Sequence, residues 1–127
     1  MKFLAALVLA LPLTSFAGNF AACDLFAYNY SSTDWTNYTL VSTERISSTW
    51  KPLTNSDEVL SDRVYPVSYS VKFSLDGTIS GSLSLKIDQP GPSDFGTVSV
   101  NDYLKLEVDD TFNGGKTIYK LQCEVDN

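Results

Sequence analysis

The chain reads as an all-β protein, an antiparallel β-sandwich or a small β-barrel of six to seven strands. Three observations predict this. Apolar residues recur at every second position in two long stretches, the period of half-buried strands. Nothing after Gly18 sustains a 3.6-residue period with helix start and stop signals. Short segments rich in Gly, Asn and Asp join the alternating stretches, as hairpins require.

Residues 1–17, MKFLAALVLALPLTSFA, stand apart from this pattern. Lys2 gives a basic start, Phe3 to Leu11 an unbroken apolar run, and Ser15 and Ala17 the small residues a signal peptidase reads. The run is too short to cross a bilayer core of about 30 Å as a helix. The expectation is a secretory signal peptide cut before Gly18, followed by a single all-β domain over 18–127. No later apolar run approaches membrane-spanning length, so the protein is not expected to span a membrane.

Beyond residue 17 the chain has 8 basic and 15 acidic residues, a net charge of −7. Such a chain does not attract phosphate backbones, which argues against nucleic acid and leaves a cationic partner as the better electrostatic match. Export places Cys23 and Cys123, the only two cysteines, in an oxidising compartment. Two cysteines allow one intramolecular pairing, so a Cys23–Cys123 disulfide is expected. A lipid anchor at Cys23 is the disfavoured alternative. Phe20-Ala21-Ala22 precedes it with small residues, but Phe20 stands where leucine is usual and Gly18-Asn19 interrupts the apolar run.

The first hairpin is the clearest. In RVYPVSYSVKFSL, Tyr65, Val67, Tyr69, Val71 and Phe73 share one face; in DGTISGSLSLKID, Ile79, Gly81, Leu83, Leu85 and Ile87 share the matching one. Equal parity demands an odd loop, so Leu75-Asp76-Gly77 is the turn, with Gly77 left-handed. This pairs Phe73 with Ile79, Tyr69 with Leu83 and Tyr65 with Ile87. A one-residue slip would set apolar residues against serines. Pro66 then belongs at a strand start, an edge or a bulge. On the outer face Ser70 meets Ser82 and Ser68 meets Ser84, a hydroxyl row that is the wet side of a sheet or a surface for polysaccharide or protein.

The second hairpin has opposite parities. Leu104, Leu106 and Val108 face in, as do Tyr119, Leu121, Cys123 and Val125, so the loop is even and Asn113-Gly114 supplies it. The pairs are Val108–Tyr119, Leu106–Leu121 and Leu104–Cys123, with Glu107 opposite Lys120 outside.

The N-terminal third alternates less cleanly. CDLFAYNY puts Phe26, Tyr28 and Tyr30 on one face, and WTNYTLVSTERISSTW offers Tyr38, Leu40 and Ile46 as its inward set. Residues 51–62 and 88–95 read as loops from their polar residues, prolines and glycine, with 97–100 as a short strand.

The chain has no histidine, which removes the Ser-His-Asp and Cys-His arrangements and the commonest general base. The one Ser-x-x-Lys after residue 17, Ser48-Thr49-Trp50-Lys51, falls in a stretch of strand composition and gives no positive signal for a serine–lysine dyad. The carboxylate pairs Asp57/Glu58 and Glu107/Asp109 read as solvated surface. DDTFNG, Asp109 to Gly114, has oxygen ligands but not the Asp-x-Asp-x-Asp-Gly spacing of a calcium loop. Gly114-Gly115-Lys116 lacks the strand–loop–helix context of a phosphate cradle. No catalytic residue, metal or cofactor is therefore expected. Asn29 and Asn37 head N-glycosylation sequons.

Aromatic residues cluster between 28 and 50. Tryptophan and tyrosine pair an apolar ring with a polar tip and suit sugar or protein recognition. Trp35 and Trp50 fall outside the cleanest alternation, and with Tyr38 they are the candidate ligand-binding residues. The expected function is an exported, non-enzymatic binding or interaction protein, secreted or periplasmic, with a protein or glycan partner. The alternatives are a carrier of a small apolar ligand in a barrel cavity, or an inhibitor of a cell-wall-degrading enzyme.

Overall fold

A computed structural model describes residues 19–34, 37–86, 90–110 and 116–126. The leader 1–17, Trp35, Ile87 and the Asn113-Gly114 turn lie outside the described residues. Those described form eight strands and no helix: β1 (Phe20–Asp34), β2 (Asn37–Pro52), β3 (Glu58–Val64), β4 (Val67–Phe73), β5 (Thr78–Lys86), β6 (Pro90–Ser99), β7 (Leu104–Asp110) and β8 (Lys116–Asp126). They make two four-stranded antiparallel sheets, ordered β2-β1-β8-β7 and β3-β4-β5-β6.

Both hairpin registers follow the hydrophobic parity. Phe73 pairs with Ile79 and Tyr69 with Leu83. Ser74 and Thr78 close the turn through a 2.9 Å backbone bond, and Gly77 has φ +90°. Asp76 Oδ1 accepts from the Thr78 N–H and hydroxyl, which fixes the turn further. In the second hairpin Leu104 pairs with Cys123, Leu106 with Leu121 and Val108 with Tyr119. Glu107 and Lys120 are opposite each other, with 3.7 Å between Oε1 and Nζ.

The remaining expectations need correction in four places. Arg63 to Leu75 is not one strand: the chain turns at Tyr65-Pro66, whose peptide bond is cis, and Val64 pairs back onto Val67. Tyr65 is consequently 75 % exposed rather than inward. The expected loop at 51–62 shrinks to 53–57, because β2 runs to Pro52 and β3 starts at Glu58. The expected loop at 88–95 is largely β6, which tolerates Pro90 and Pro92 because it is the edge of its sheet. Tyr38 and Leu40 are 47 % and 48 % exposed, while Ile46 does pack against the core. Register shifts in β2 beside Leu25/Phe26 and Asn29/Tyr30 break its alternation, which is why its parity misled. These extra strand segments bring the described count to eight, above the six to seven expected.

The Cys23–Cys123 disulfide forms. The two residues are direct partners across β1 and β8, with Cα atoms 4.1 Å apart, and both are fully buried. The Cys23 sulfur is thus committed to Cys123 rather than to a lipid. The bond is consistent with an oxidising compartment. No helix among the described residues is long and apolar enough to cross a membrane.

The disulfide also sets which face of β1 is inside. Cys23, Leu25 and Ala27 are buried with Cys123, Leu121 and Tyr119. They share one core with Val67, Val71, Phe73, Ile79, Leu83 and Leu85 from the second sheet. Polar links join the sheets at their margins. Ser47 Oγ donates to Asp62 Oδ2 at 2.6 Å, Thr49 and Tyr69 hydroxyls are 2.7 Å apart, and the Glu107 N–H donates to Asp94 Oδ2 at 3.0 Å. The last of these satisfies a backbone donor on the edge strand β7, one that would otherwise be open to another chain.

Candidate functional site

With Cys23, Leu25 and Ala27 inside, the alternate residues of β1 must point out. The outer face of the β2-β1-β8-β7 sheet is therefore built on Phe20, Ala22, Asp24, Phe26, Tyr28 and Tyr30. Cross-strand register places the neighbours. Ala22 lies between Trp50 and Glu124, Phe20 between Pro52 and Asp126, and Asp24 between Ser48 and Gln122. Further along, Phe26 lies between Arg45 and Lys120, and Tyr28 between Thr43 and Ile118.

Three open grooves along this face are lined by described residues. The largest, about 420 Å³, is walled by Phe20 and Trp50 and floored by Ala22, with Asp24, Arg45 and Asp126 around it. Its shape follows from one small side chain. Ala22 stands in a row whose flanking positions are Trp50 and Glu124, so the missing bulk leaves a depression between them. Trp50 is 64 % exposed, and its ring meets Phe20 edge to face, centroids 5.2 Å apart and planes at 84°. Arg45 Nη1 lies 3.4 Å from Asp24 Oδ1. Burial, and then the charges of Asp126 and Asp24, push the Glu124 carboxyl above its usual range.

The second groove, about 310 Å³, runs beside Phe26 and Tyr28 to Lys105 and Lys120. Here the aromatic ring is already occupied: Lys120 Nζ sits 4.5 Å from the Tyr28 centroid. The third, about 260 Å³, is lined by Tyr30, Tyr38, Asp109 and Ile118.

The sequence candidates are thus only partly brought together. Trp50 is an exposed wall of the largest groove. Tyr38 is exposed too, but at the far end of β2, twelve residues away, roughly 40 Å at about 3.3 Å per residue. Trp35 lies outside the described residues. Sequence reading missed Phe20, Ala22, Asp24 and Glu124. The signal was present: Cys23 bonded to the inward Cys123 places the even-numbered residues of β1 outside.

The other chemistries considered do not converge. Asp109 and Asp110 are consecutive in β7, so Asp109 joins the outer groove while Asp110 is buried on the inner face. Asp57 Oδ1 accepts the Leu75 N–H at 2.7 Å and Oδ2 lies 3.4 Å from Lys72 Nζ. Glu58 is held separately by Thr54 and Lys51. These bonds hold both carboxyls below their usual range, led by the Leu75 N–H for Asp57 and the Thr54 hydroxyl for Glu58. Among the described residues no cluster of three or more His, Cys, Asp or Glu is placed to hold a metal ion. Asn29 is half-buried, donating to Ser42 and Glu44 and accepting from Thr117, so its side chain is tied to the neighbouring strands. Asn37 is exposed.

The serine rows appear as expected on the other sheet, Ser70 opposite Ser82 and Ser68 opposite Ser84, extended by Ser61 opposite Ser70. No family model, curated protein or solved structure matches the chain.

Proposed function

We propose that this protein is an exported, non-enzymatic binding protein, secreted or periplasmic, built as a disulfide-stapled β-sandwich whose recognition surface is the outer face of the β2-β1-β8-β7 sheet. The observation that carries the reading is the Trp50–Phe20 pair standing exposed over the Ala22 floor. Leaving a tryptophan two-thirds exposed forgoes burial of one of the largest apolar side chains, and Trp is enriched where partners dock. The inner faces of both sheets are filled by one packed core, which favours recognition on the outside over carriage of an apolar ligand between the sheets.

The test is tryptophan fluorescence of the oxidised protein against soluble glycans, peptidoglycan fragments and extracellular proteins. The expected result is a saturable change that disappears in Trp50→Ala and in Ala22→Leu, the second of which fills the groove. A signal unmoved by every class, or one that survives both substitutions, refutes the assignment of this face.

A further inference from the structure

The Phe20–Trp50 groove has a chemistry that narrows its ligand. Tryptophan offers the strongest aromatic face to a cation, and the other side of the groove is acidic. Asp24 and Asp126 line it, and Glu124 stands opposite Trp50 across Ala22, about 10 Å away over two strand spacings. Arg45 is the groove's own cation and is paired with Asp24. Neither Glu124 nor Asp126 has an ion-pair partner among the described residues.

The same face shows how such elements combine elsewhere. Roughly 20 Å along β1 from Ala22, at about 3.3 Å per residue, Lys120 rests on the Tyr28 ring at 4.5 Å with Glu107 Oε1 at 3.7 Å from its ammonium. Ring, carboxylate and cation make one unit there. At Trp50 the ring and the carboxylates are present, and no cation lies over the ring among the described residues.

Resting on the reading of this face as a binding surface, we infer that the Trp50 groove receives a lysine or arginine side chain from a basic segment of a partner protein. The aliphatic stem lies over Ala22 between the Trp50 and Phe20 rings, and the charged head reaches Glu124 and Asp126. Burial raises the Glu124 carboxyl first, and the charges of Asp126 and then Asp24 raise it further, so these carboxylates repel one another across the groove. An arriving cation relieves that repulsion. The negative charge of the whole chain adds attraction at longer range.

The experiment titrates the oxidised protein with hexalysine, hexaglutamate and a neutral chitin oligosaccharide, by calorimetry, with circular dichroism to establish that each variant keeps its strands. Hexalysine is expected to bind saturably, and hexaglutamate not at all. Glu124→Gln is expected to weaken hexalysine about five- to tenfold, and Ala22→Leu to abolish binding. Asp102→Asn removes the same unit of charge from an exposed turn and should change affinity less than about twofold. Equal weakening by Glu124→Gln and Asp102→Asn would mean diffuse attraction and overturn the site. Oligosaccharide binding that is lost in Ala22→Leu, with no hexalysine binding, overturns the cationic ligand while leaving the face as a binding surface. Silence from both probes counts against the ligand and the face together.

Discussion

Removing the Cys23–Cys123 bond should cost this domain a large part of its stability. The half-cystines are 100 residues apart in sequence, and closing a loop of that length removes up to about 4.7 kcal/mol of chain entropy from the unfolded state. In the folded state they are already direct partners on neighbouring central strands, in a ladder running from Phe20–Asp126 to Tyr30–Lys116. The constraint therefore acts on the unfolded chain. Domains of ordinary stability have roughly 5–15 kcal/mol in all, so the loss is between a third and nearly the whole. The perturbation is Cys23→Ala with Cys123→Ala, and the assay is paired urea and thermal unfolding of the oxidised wild type and the variant. The expected melting temperature falls by roughly 20–35 °C, taking about 4–8 °C per kcal/mol for a domain near this size. Because both cysteines are fully buried, thiol reagents should find nothing to titrate in the native oxidised protein, and reductant should act only as the chain opens. A loss under about 1 kcal/mol would refute the reasoning, by showing that the unfolded chain keeps its ends together without the bond. A thiol titrating in the folded protein would refute the bond itself.

Gly81→Ala should destabilise by about 1–3 kcal/mol in urea titration, since the added Cβ falls 2.7 Å from Val71 Cγ2 and 2.8 Å from the Ser70 carbonyl oxygen; Val71→Ala in the same chain should rescue it only in part, and full rescue would show that the carbonyl contact is unimportant. Burial chiefly pushes the phenols of Tyr69 and Tyr119 above their ordinary value near 10, opposed at Tyr69 by hydrogen bonds from Thr49 and Ser47, and assisted at Tyr119 by Asp110. Folding favours the neutral phenols of Tyr69 and Tyr119, so their contribution is complete below the unfolded pKa and is lost as pH rises through the higher folded values; near-ultraviolet absorbance should show these two phenols ionising above the ordinary value, a component that Tyr69→Phe and Tyr119→Phe each reduce, and its absence would contradict the reasoning. The Asp57 carboxyl is held below its ordinary 3.8, first by the Leu75 N–H, so its contribution is present above that value and is lost as pH falls through the lower folded one. Asp57→Asn should flatten that part of the acid unfolding profile, and an unchanged acid limb would remove Asp57 from the account.

Legibility in the sequence varied with the local pattern. Residues 67–85 were readable almost atom row by atom row, because strict alternation and a three-residue turn ending in Gly77 admit one register. The β7–β8 pairing was readable for the same reason. Tyr65 was misplaced because alternation ran through it without a break, and only the return of Val67 onto Val64 shows that the chain turns at Pro66. The Trp50 groove was half legible. Trp50 stood out by falling off the pattern, yet its companions Ala22 and Glu124 lie 28 and 74 residues away and meet it only through the β2-β1-β8 register.

By itself the sequence determined the all-β class, the two hairpin registers, the pairing of its only two cysteines and the hydroxyl rows, because each depends on residues near one another or on a choice with one answer. Tertiary structure decided the order of the strands, and hence which residues of β2 and β8 flank each outward residue of β1. Those depend on which strand lies beside which, and a period of two marks the two faces of a strand without naming its neighbours.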